Sequence, residues 1–210
     1  MMMMRINERV PFIAAPGIVL LPKGILPFQV TDKVQIDAVH YALGKGREIG
    51  VVQLSEPKSM GLKHLSAHGC LAKIMAFSEN ADGSLVLVLK GMRRFKVLVR
   101  EHKHLPRLLN IEWDAWKSEE DQEITSKERI KLFHLLEEHI TENDVKIDWH
   151  EFLAATDEAL INLLAFVYPF APQEKQALLE SKSPQDSLRL LTAFLEFSAL
   201  EKQQPFVSIN

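Results

Sequence analysis

The stretch Asn80-Ala81-Asp82-Gly83-Ser84-Leu85-Val86-Leu87-Val88-Leu89 decides the predicted fold class. Its Asp82-Gly83 pair is a strong signal for a tight β-hairpin turn, because such turns need residues that tolerate positive φ. The five apolar residues that follow leave no face for water, so they predict a strand covered on both faces. The apolar run from Cys70 to Phe77 predicts its partner strand. A β-hairpin is therefore the starting point of the predicted fold.

Further strands are predicted on both sides of this hairpin. Residues 49–54 and 108–113 read as strands, and residues 94–100 alternate between charged and apolar side chains, as a half-buried strand does. Residues 10–21 hold short apolar pieces broken by prolines, which is typical of edge strands and turns rather than of a central strand. Residues 55–66 are predicted to form a loop.

One helix is predicted among these strands. Apolar spacing of i, i+3, i+4, i+7 is typical of a helix face. It is found at Ile36, Val39, His40 and Leu43. Thr31-Asp32 supplies an N-terminal cap, and Gly44 stands where a residue of positive φ would end the helix.

The glycines divide the chain into two halves. All nine lie between Gly17 and Gly91, so residues 92–210 contain none. Glycine supplies the positive φ of turns and weakens helix interiors, so a β-rich half followed by a helical half is predicted. The predicted fold class is therefore α+β. The predicted organisation is a disordered end over residues 1–9, a β-rich subdomain over 10–116, a helical bundle over 117–202 and a tail over 203–210.

The helical half is predicted from apolar stripes and caps. The first stripe contains Ile130, Phe133, Leu136 and Ile140. The second contains Leu160, Leu163, Leu164 and Val167. A short helix follows around Leu178. The last stripe contains Leu188, Leu191, Phe194 and Leu195. Thr156 and Ser183-Pro184 are predicted to cap the helices that follow them.

Composition excludes several classes of protein. The chain has 210 residues, 47% hydrophobic and 25% charged, with a net charge of −3, which disfavours both disorder and a strongly basic nucleic-acid binder. A single cysteine cannot form an intramolecular disulfide, which favours a reducing compartment. The N-terminal residues lack the apolar stretch of a signal peptide, and no segment has the ~20 apolar residues of a membrane span. A soluble, cytoplasmic protein without membrane contact is expected.

Chemical motifs are mostly absent from the sequence. No stretch has the spacing of a phosphate-binding P-loop. Ser55 and Lys58 match the Ser-x-x-Lys pattern of a lysine-activated serine, and we keep a hydrolase as a third hypothesis, although a coincidental loop is favoured. His64, His68 and Cys70 lack a fourth metal ligand with recognisable spacing, which favours a buried structural cysteine. No catalytic residue, metal or cofactor is therefore expected.

A basic run offers an alternative function. Seven cations between Lys90 and Arg107 face one acid, Glu101. Arg94, Lys96 and Arg100 are predicted to share the outer face of one strand, where a phosphate backbone could follow them. The other reading is a solvated sheet face balanced by acids further along the chain, and the net charge of −3 favours it.

Several segments resemble the N-terminal, substrate-binding domain of Lon proteases and its free-standing relatives. The matching segments include Val10-Pro11-Phe12, Pro16-Gly17-Ile18-Val19-Leu20-Leu21-Pro22, Leu26-Pro27-Phe28, Gly69-Cys70-Leu71-Ala72-Lys73-Ile74 and Gly91-Met92-Arg93-Arg94-Phe95. The last of these is the most specific. The chain departs from the family after Phe28, where a phenylalanine and an acidic residue are common and Gln29-Val30-Thr31-Asp32 stands instead.

The resemblance implies a PUA-like β pseudobarrel with one inserted helix, followed by an α-helical bundle. It implies a non-catalytic module that binds exposed apolar or unfolded polypeptides, without the ATPase and peptidase modules of full Lon proteases. A separate protease or chaperone machine is a further implied partner. Candidate peptide-binding residues are Phe28, Met75, Phe77 and Met92, although core positions are the plainer reading of each. The alternative is a PUA-like module that binds RNA or DNA through Arg94, Lys96 and Arg100.

Overall fold

The fold consists of seven strands and five helices over the residues that a computed structural model describes, which are 8–55, 63–104, 108–113, 126–143, 155–168 and 170–203. The strands are β1 Glu8–Pro16, β2 Ile25–Val30, β3 Glu48–Ser55, β4 Lys63–Glu79, β5 Leu85–Val97, β6 Glu101–His102 and β7 Leu108–Trp113. The helices are α1 Lys33–Leu43, α2 Ser126–Asn143, α3 Asp157–Val167, α4 Pro172–Glu180 and α5 Pro184–Gln203. The predicted α+β class, with one helix inserted among the strands, is confirmed.

The strands close into a pseudobarrel. The sheet order is β2-β5-β7-β1-β3-β4-β6, and β4 also pairs with β5. Strands β5, β7, β1, β3 and β4 therefore form a closed ring, while β2 and β6 extend it at two places. Only β1 and β3 are parallel among the described pairs. The predicted pseudobarrel is confirmed by this closure.

The ring of strands encloses an apolar core centred on Phe95, which has no exposed surface. The aromatic ring of Phe95 lies against two glycines, Gly69 of β4 and Gly50 of β3. A Cβ atom at Gly69 would lie 2.5 Å from the Phe95 ring, and one at Gly50 would lie 3.0 Å from it. A side chain at Gly69 would therefore clash with Phe95, and one at Gly50 would require the aromatic ring to shift by a few tenths of an ångström.

Strand β1 lies in the middle of the sheet, so its prediction as an edge strand is wrong. It pairs with β7 through residues 8–11 and with β3 through residues 12–16. Phe12 faces the barrel core, and Ile13 is buried on the opposite face. Pro11 is the last residue that pairs with β7, and the partner changes to β3 at Phe12, so the proline stands at the end of one ladder and not inside it.

Helix α1 forms as predicted. Asp32 caps it by accepting a hydrogen bond from Gln35 N at 3.1 Å. The Gln35 side chain accepts a hydrogen bond from Ala14 N at 3.0 Å, which fixes the helix to β1. The positive φ expected at Gly44 is wrong, because Gly44 has a φ of −75° and Gly46 takes the value of +82°.

The predicted hairpin joins β4 and β5. Gly83 has a φ of +79°, and Asn80 N donates to Ser84 O at 2.9 Å across the turn. Both strands are longer than predicted. Strand β4 begins at Lys63, so the predicted loop is wrong over residues 63–66, which pair with the end of β3 and with β6. Residues 56–62 of that loop lie outside the described residues.

The chain divides into two compact units, one of Met1–Ala115 with Ala165–Glu180 and one of Trp116–Leu164 with Ser181–Asn210. Helix α4 thus belongs with the strands, and its Gln176 Nε2 donates to the His68 carbonyl at 3.2 Å. The boundary between the β-rich and helical subdomains, placed between residues 116 and 117, stays a prediction. Glu8 and Arg9 belong to β1 and Gln203 to α5, whereas the rest of both predicted ends lies outside the described residues.

The helices of the second unit bury some, but not all, of the residues that were predicted to face inward. Of the stripe predicted for α2, Leu136 is buried and Phe133 is half-buried, whereas Ile130 is 54% exposed and the prediction is wrong there. Leu132, which was not predicted, is also buried. In α5 the predicted Leu188, Leu191 and Leu195 are buried.

Two predicted helix caps are present. Thr156 Oγ1 accepts a hydrogen bond from Ala159 N at 3.4 Å, and Ser183 Oγ accepts one from Asp186 N at 3.1 Å. In the second stripe Leu160 and Leu164 are buried, whereas Leu163 is exposed. None of the described helices is both long and apolar enough to cross a lipid bilayer.

Candidate functional site

Three strands extend beyond the closed ring and form what we call the arm, defined as β2 with residues 74–79 of β4 and 85–90 of β5. The register places β5 in the centre, β2 on one side and β4 on the other. Side chains in one cross-strand row are neighbours, with Cβ atoms about 5 Å apart. The arm therefore presents its side chains as short rows on two faces.

The inner face of the arm is mainly buried. Its central row runs from Phe28 through Leu87 to Phe77. Leu87 has no exposed surface, Phe28 is half-buried and Phe77 is 46% exposed. Two of the four candidate peptide-binding residues thus lie at opposite ends of one row.

The outer face of the arm faces solvent, and its central row is apolar. Pro27, Val88 and Ala76 form one row, in which the outer two are exposed and Val88 is half-buried. Ile25, one row away, is 53% exposed. The prediction that residues 85–89 are covered on both faces is therefore wrong for Val86 and Val88, because no described element packs on this side.

Both candidate methionines are the extra residues of β-bulges. The register between β4 and β5 shifts between Ile74 and Ala76, which leaves Met75 outside the ladder. A second shift, between Leu71 and Ala72, leaves Met92 of β5 outside it. Met75 is 54% and Met92 is 45% exposed. Bulges re-aim side chains and are frequent next to functional sites.

Gly91, beside Met92, fixes the base of the arm. Its N–H donates to Gly24 O and its carbonyl accepts from Lys23 N, both at 2.9 Å. A Cβ atom at Gly91 would lie 2.1 Å from the Leu21 carbonyl oxygen. Only glycine fits at position 91, where residues 21–24 cross β5.

The four candidate residues thus gather on one part of the molecule. Phe28, Met75 and Phe77 belong to the arm, and Met92 lies two residues beyond it. A cavity of about 240 Å³ lies beside Phe28, between β1, β2, β3 and the start of α1. The sequence reasoning missed Ile25, Pro27 and Val88. Pro27 was the available signal, since proline within a strand indicates an exposed edge.

The basic residues do not form one exposed row. Arg94 is only 6% exposed and lies opposite Cys70, on the part of the sheet near α4. Strand β5 ends at Val97, so Arg100 lies beyond it, and of the three predicted residues only Lys96 is both exposed and part of the strand. The prediction that Arg94, Lys96 and Arg100 share an outer strand face is therefore wrong.

The remaining reactive side chains are held in structural contacts. Burial raises the pKa of Cys70 to about 12, so its thiol stays protonated at neutral pH and is a poor nucleophile. Glu180 Oε1 lies 3.8 Å from His68 Nδ1 and accepts a hydrogen bond from Gln176 Nε2 at 2.7 Å. No three His, Cys, Asp or Glu side chains of the described residues are grouped to hold a metal. Lys58, the partner in the serine hypothesis, lies outside those residues.

A comparison with known protein families shows which family the chain matches. Residues 9–196 match the substrate-binding domain of the ATP-dependent protease La (LON). The chain belongs to this family. The resemblance seen in the sequence is confirmed, and the residues that match form a LON substrate-binding domain, a module that is non-catalytic in itself.

Solved structures share the fold of this LON substrate-binding domain. A Lon N-terminal domain protein from Xanthomonas campestris is 21% identical, with a TM-score of 0.66 over 89% of this chain and 98% of that one. The N-terminal domain of a Mycobacterium avium complex Lon protease is 19% identical, with a TM-score of 0.63 over 90% and 98%. No curated protein sequence matches significantly.

Proposed function

We propose that this LON substrate-binding domain binds exposed apolar segments of unfolded polypeptides at the arm. The observation that carries the proposal is that Ile25, Met75, Phe77 and Met92 are each about half exposed and lie on or beside one small sheet. Gathered apolar side chains on a protein surface mark interaction sites. Methionine and phenylalanine adapt to varied partners, which suits a module that meets many sequences.

The expected affinity is modest. Burying one large apolar side chain contributes about 1.5–3 kcal/mol when it starts fully exposed, and these side chains start half exposed. Association costs about 4–15 kcal/mol, which offsets most of this gain, so we expect a dissociation constant that is micromolar or weaker. Such weak binding allows a client to be released to a separate protease or chaperone machine, which we propose as the cytoplasmic partner. In this proposal the chain acts by binding and performs no chemistry.

A titration tests the proposal. A reduced, alkylated and permanently unfolded protein is added to the purified chain, and we expect a dissociation constant that is micromolar or weaker. The double variant Met75→Ser/Phe77→Ser should weaken binding by about tenfold, because it removes two of the apolar contacts. Raising the salt concentration should change the affinity little, whereas phosphate-type electrostatic binding would fall steeply.

The matched control is Phe197→Ser on α5 in the other unit, where the side chain is 60% exposed. It removes a similar apolar surface and should change the affinity by less than about twofold. Absence of binding to several unfolded proteins, or equal weakening by both variants, would contradict the proposal.

A further inference from the structure

Strand β4 loses one of its two neighbours part-way along its length. Strand β3 pairs with it as far as Lys73, which lies opposite Glu48, and Ile74 N donates to Arg47 O at 2.8 Å. Beyond Ile74, residues 75–79 pair with β5 and with no other described strand. Within the described residues they make no other main-chain hydrogen bond. Among the described residues this segment is therefore an open sheet edge, on the side of β4 that β3 covers up to Lys73.

The register shows which main-chain groups face this edge. In an antiparallel pair, hydrogen-bonded and non-hydrogen-bonded residue pairs alternate. Asn80 N donates to Ser84 O, so Ser78 with Val86 is again a hydrogen-bonded pair. The N–H and C=O groups of Phe77 and Glu79 therefore point away from β5, toward the open edge.

This edge lacks two of the residue types that protect sheet edges, proline and lysine. Natural edges are often blunted by proline or lysine. Strand β2, at the opposite side of the arm, carries Pro27, whereas residues 75–79 are Met-Ala-Phe-Ser-Glu and are all exposed. The bulge at Met75 lies at the base of the segment, and pairing is regular from Ala76 to Glu79.

We propose that the client binds as an added β-strand on the edge formed by residues 75–79. This inference rests on the function proposed above and specifies how the client is held. The client is an extended segment of about five residues with apolar side chains at alternate positions. It runs antiparallel to β4, as β3 does, and accepts and donates hydrogen bonds at Phe77 and Glu79.

Charge sets the preferred ends of the client. In this direction its N-terminal end meets Glu79, and its C-terminal end meets Arg47, which is exposed at the start of β3. A basic residue at the first end and an acidic residue at the second are therefore favoured. Exposed ion pairs are weak, so exchanging the two charges should reduce affinity only about two- to fivefold.

A second copy of this chain fits the edge less well than a client does. Stable interfaces of standard size use about 20–30 residues on each side. The open edge supplies five residues, 75–79. It suits a short segment bound transiently rather than a lasting dimer.

The test uses capped seven-residue peptides that alternate valine and threonine, with lysine first and aspartate last. One peptide is N-methylated at the valines and another at the threonines, and binding to the full chain is followed by NMR. Addition of a strand predicts that one methylated peptide loses at least about tenfold in affinity, as loss of two hydrogen bonds implies, while the other stays within about twofold. The amide protons of Phe77 and Glu79 should exchange more slowly when the unmodified peptide is bound.

Substitution of the chain gives an independent test. Glu79→Pro removes one outward N–H, and Glu79→Ala keeps it while removing the same charge. We expect a larger loss of peptide affinity for E79P than for E79A, with unchanged far-UV circular dichroism in both.

The outcomes separate the two proposals. Unfolded protein that binds in a Met75/Phe77-dependent manner, while both methylated peptides bind equally, overturns strand addition and leaves the proposed function standing. Failure of the unfolded protein and of every peptide to bind overturns both proposals. Concentration-dependent dimers that protect Phe77 and Glu79 without peptide overturn the client in favour of a second copy.

Discussion

Gly91 is the residue on which the geometry of the arm depends most. The segment before β2 crosses β5 at this point, with two hydrogen bonds to the main chain of Gly91. Any side chain there would meet the Leu21 carbonyl oxygen, which belongs to the backbone and cannot turn aside. The crossing segment leads directly into β2, so Gly91 couples the base of the arm to the ring.

Gly91→Ala should lower the free energy of unfolding by about 2–3 kcal/mol, because the added methyl overpacks this crossing. The control is Gly44→Ala, where φ is −75° and the nearest heavy atom to the added Cβ would be 3.7 Å away. That change should stay within about 0.5 kcal/mol. Chemical denaturation of both variants measures the difference, and equal stabilities would contradict the crossing.

The sequence predicts single residues well where the cause is local. The resemblance around Gly91 and the turn at Gly83 both follow from short-range patterns, and both are present. Arg94 shows the opposite case. It alternates with buried Phe95 and therefore reads as solvent-exposed, but α4, about 80 residues later in the chain, packs near its position. No local pattern indicates which element returns to cover a sheet face.

At the scale of elements, α4 is attached to β4 through a small polar group. Gln176 donates to the His68 carbonyl and to Glu180, and the His68 ring lies beside the same carboxylate. Interaction with His68, supported by the hydrogen bond from Gln176, lowers the pKa of Glu180 below its ordinary value of 4.5. Its ionised form is therefore bound more favourably in the folded chain than its protonated form.

This shift predicts an acid-sensitive contribution of α4 to stability. A lowered folded-state pKa stabilises the protein above the ordinary value, and the contribution is lost as pH falls below 4.5 through the folded-state pKa. Glu180 is partly exposed, so the expected size is at most about 1 kcal/mol. Thermal unfolding of the native chain and of Glu180→Gln should differ at pH 6 and converge toward pH 3. A difference that grows on acidification would contradict the assignment.

Elements were predictable where cap and period agreed. Helix α1 has both the Asp32 cap and a clear apolar period, and it forms as predicted. Strand β1 was misjudged because its prolines suggested an edge, whereas a change of partner at Pro11 removes that conflict. In α2 the predicted Leu136 is buried, but the phase was wrong at the start of the helix, where Leu132 rather than Ile130 is buried. Phase depends on the neighbouring helix, which the local pattern does not encode.

At the scale of the whole molecule, the division into β-rich and helical halves follows from the glycine distribution, but ring closure does not. Strands β4 and β5 pair through the predicted hairpin, but closure also needs β1 to pair with β7, which is a long-range pairing. The arm forms because β4 and β5 continue beyond the ring and pair there with each other and with β2. The candidate residues could be selected by type from the sequence, whereas their gathering on one sheet required the register.

Hydrogen–deuterium exchange of the full chain, with and without saturating unfolded client, tests the central claim most directly. The claim predicts slower exchange of main-chain amides in residues 25–30, 75–79 and 85–92, and unchanged exchange in α2 and α5. Protection centred on residues 96–104, or bound client without any protection of the arm, would contradict it.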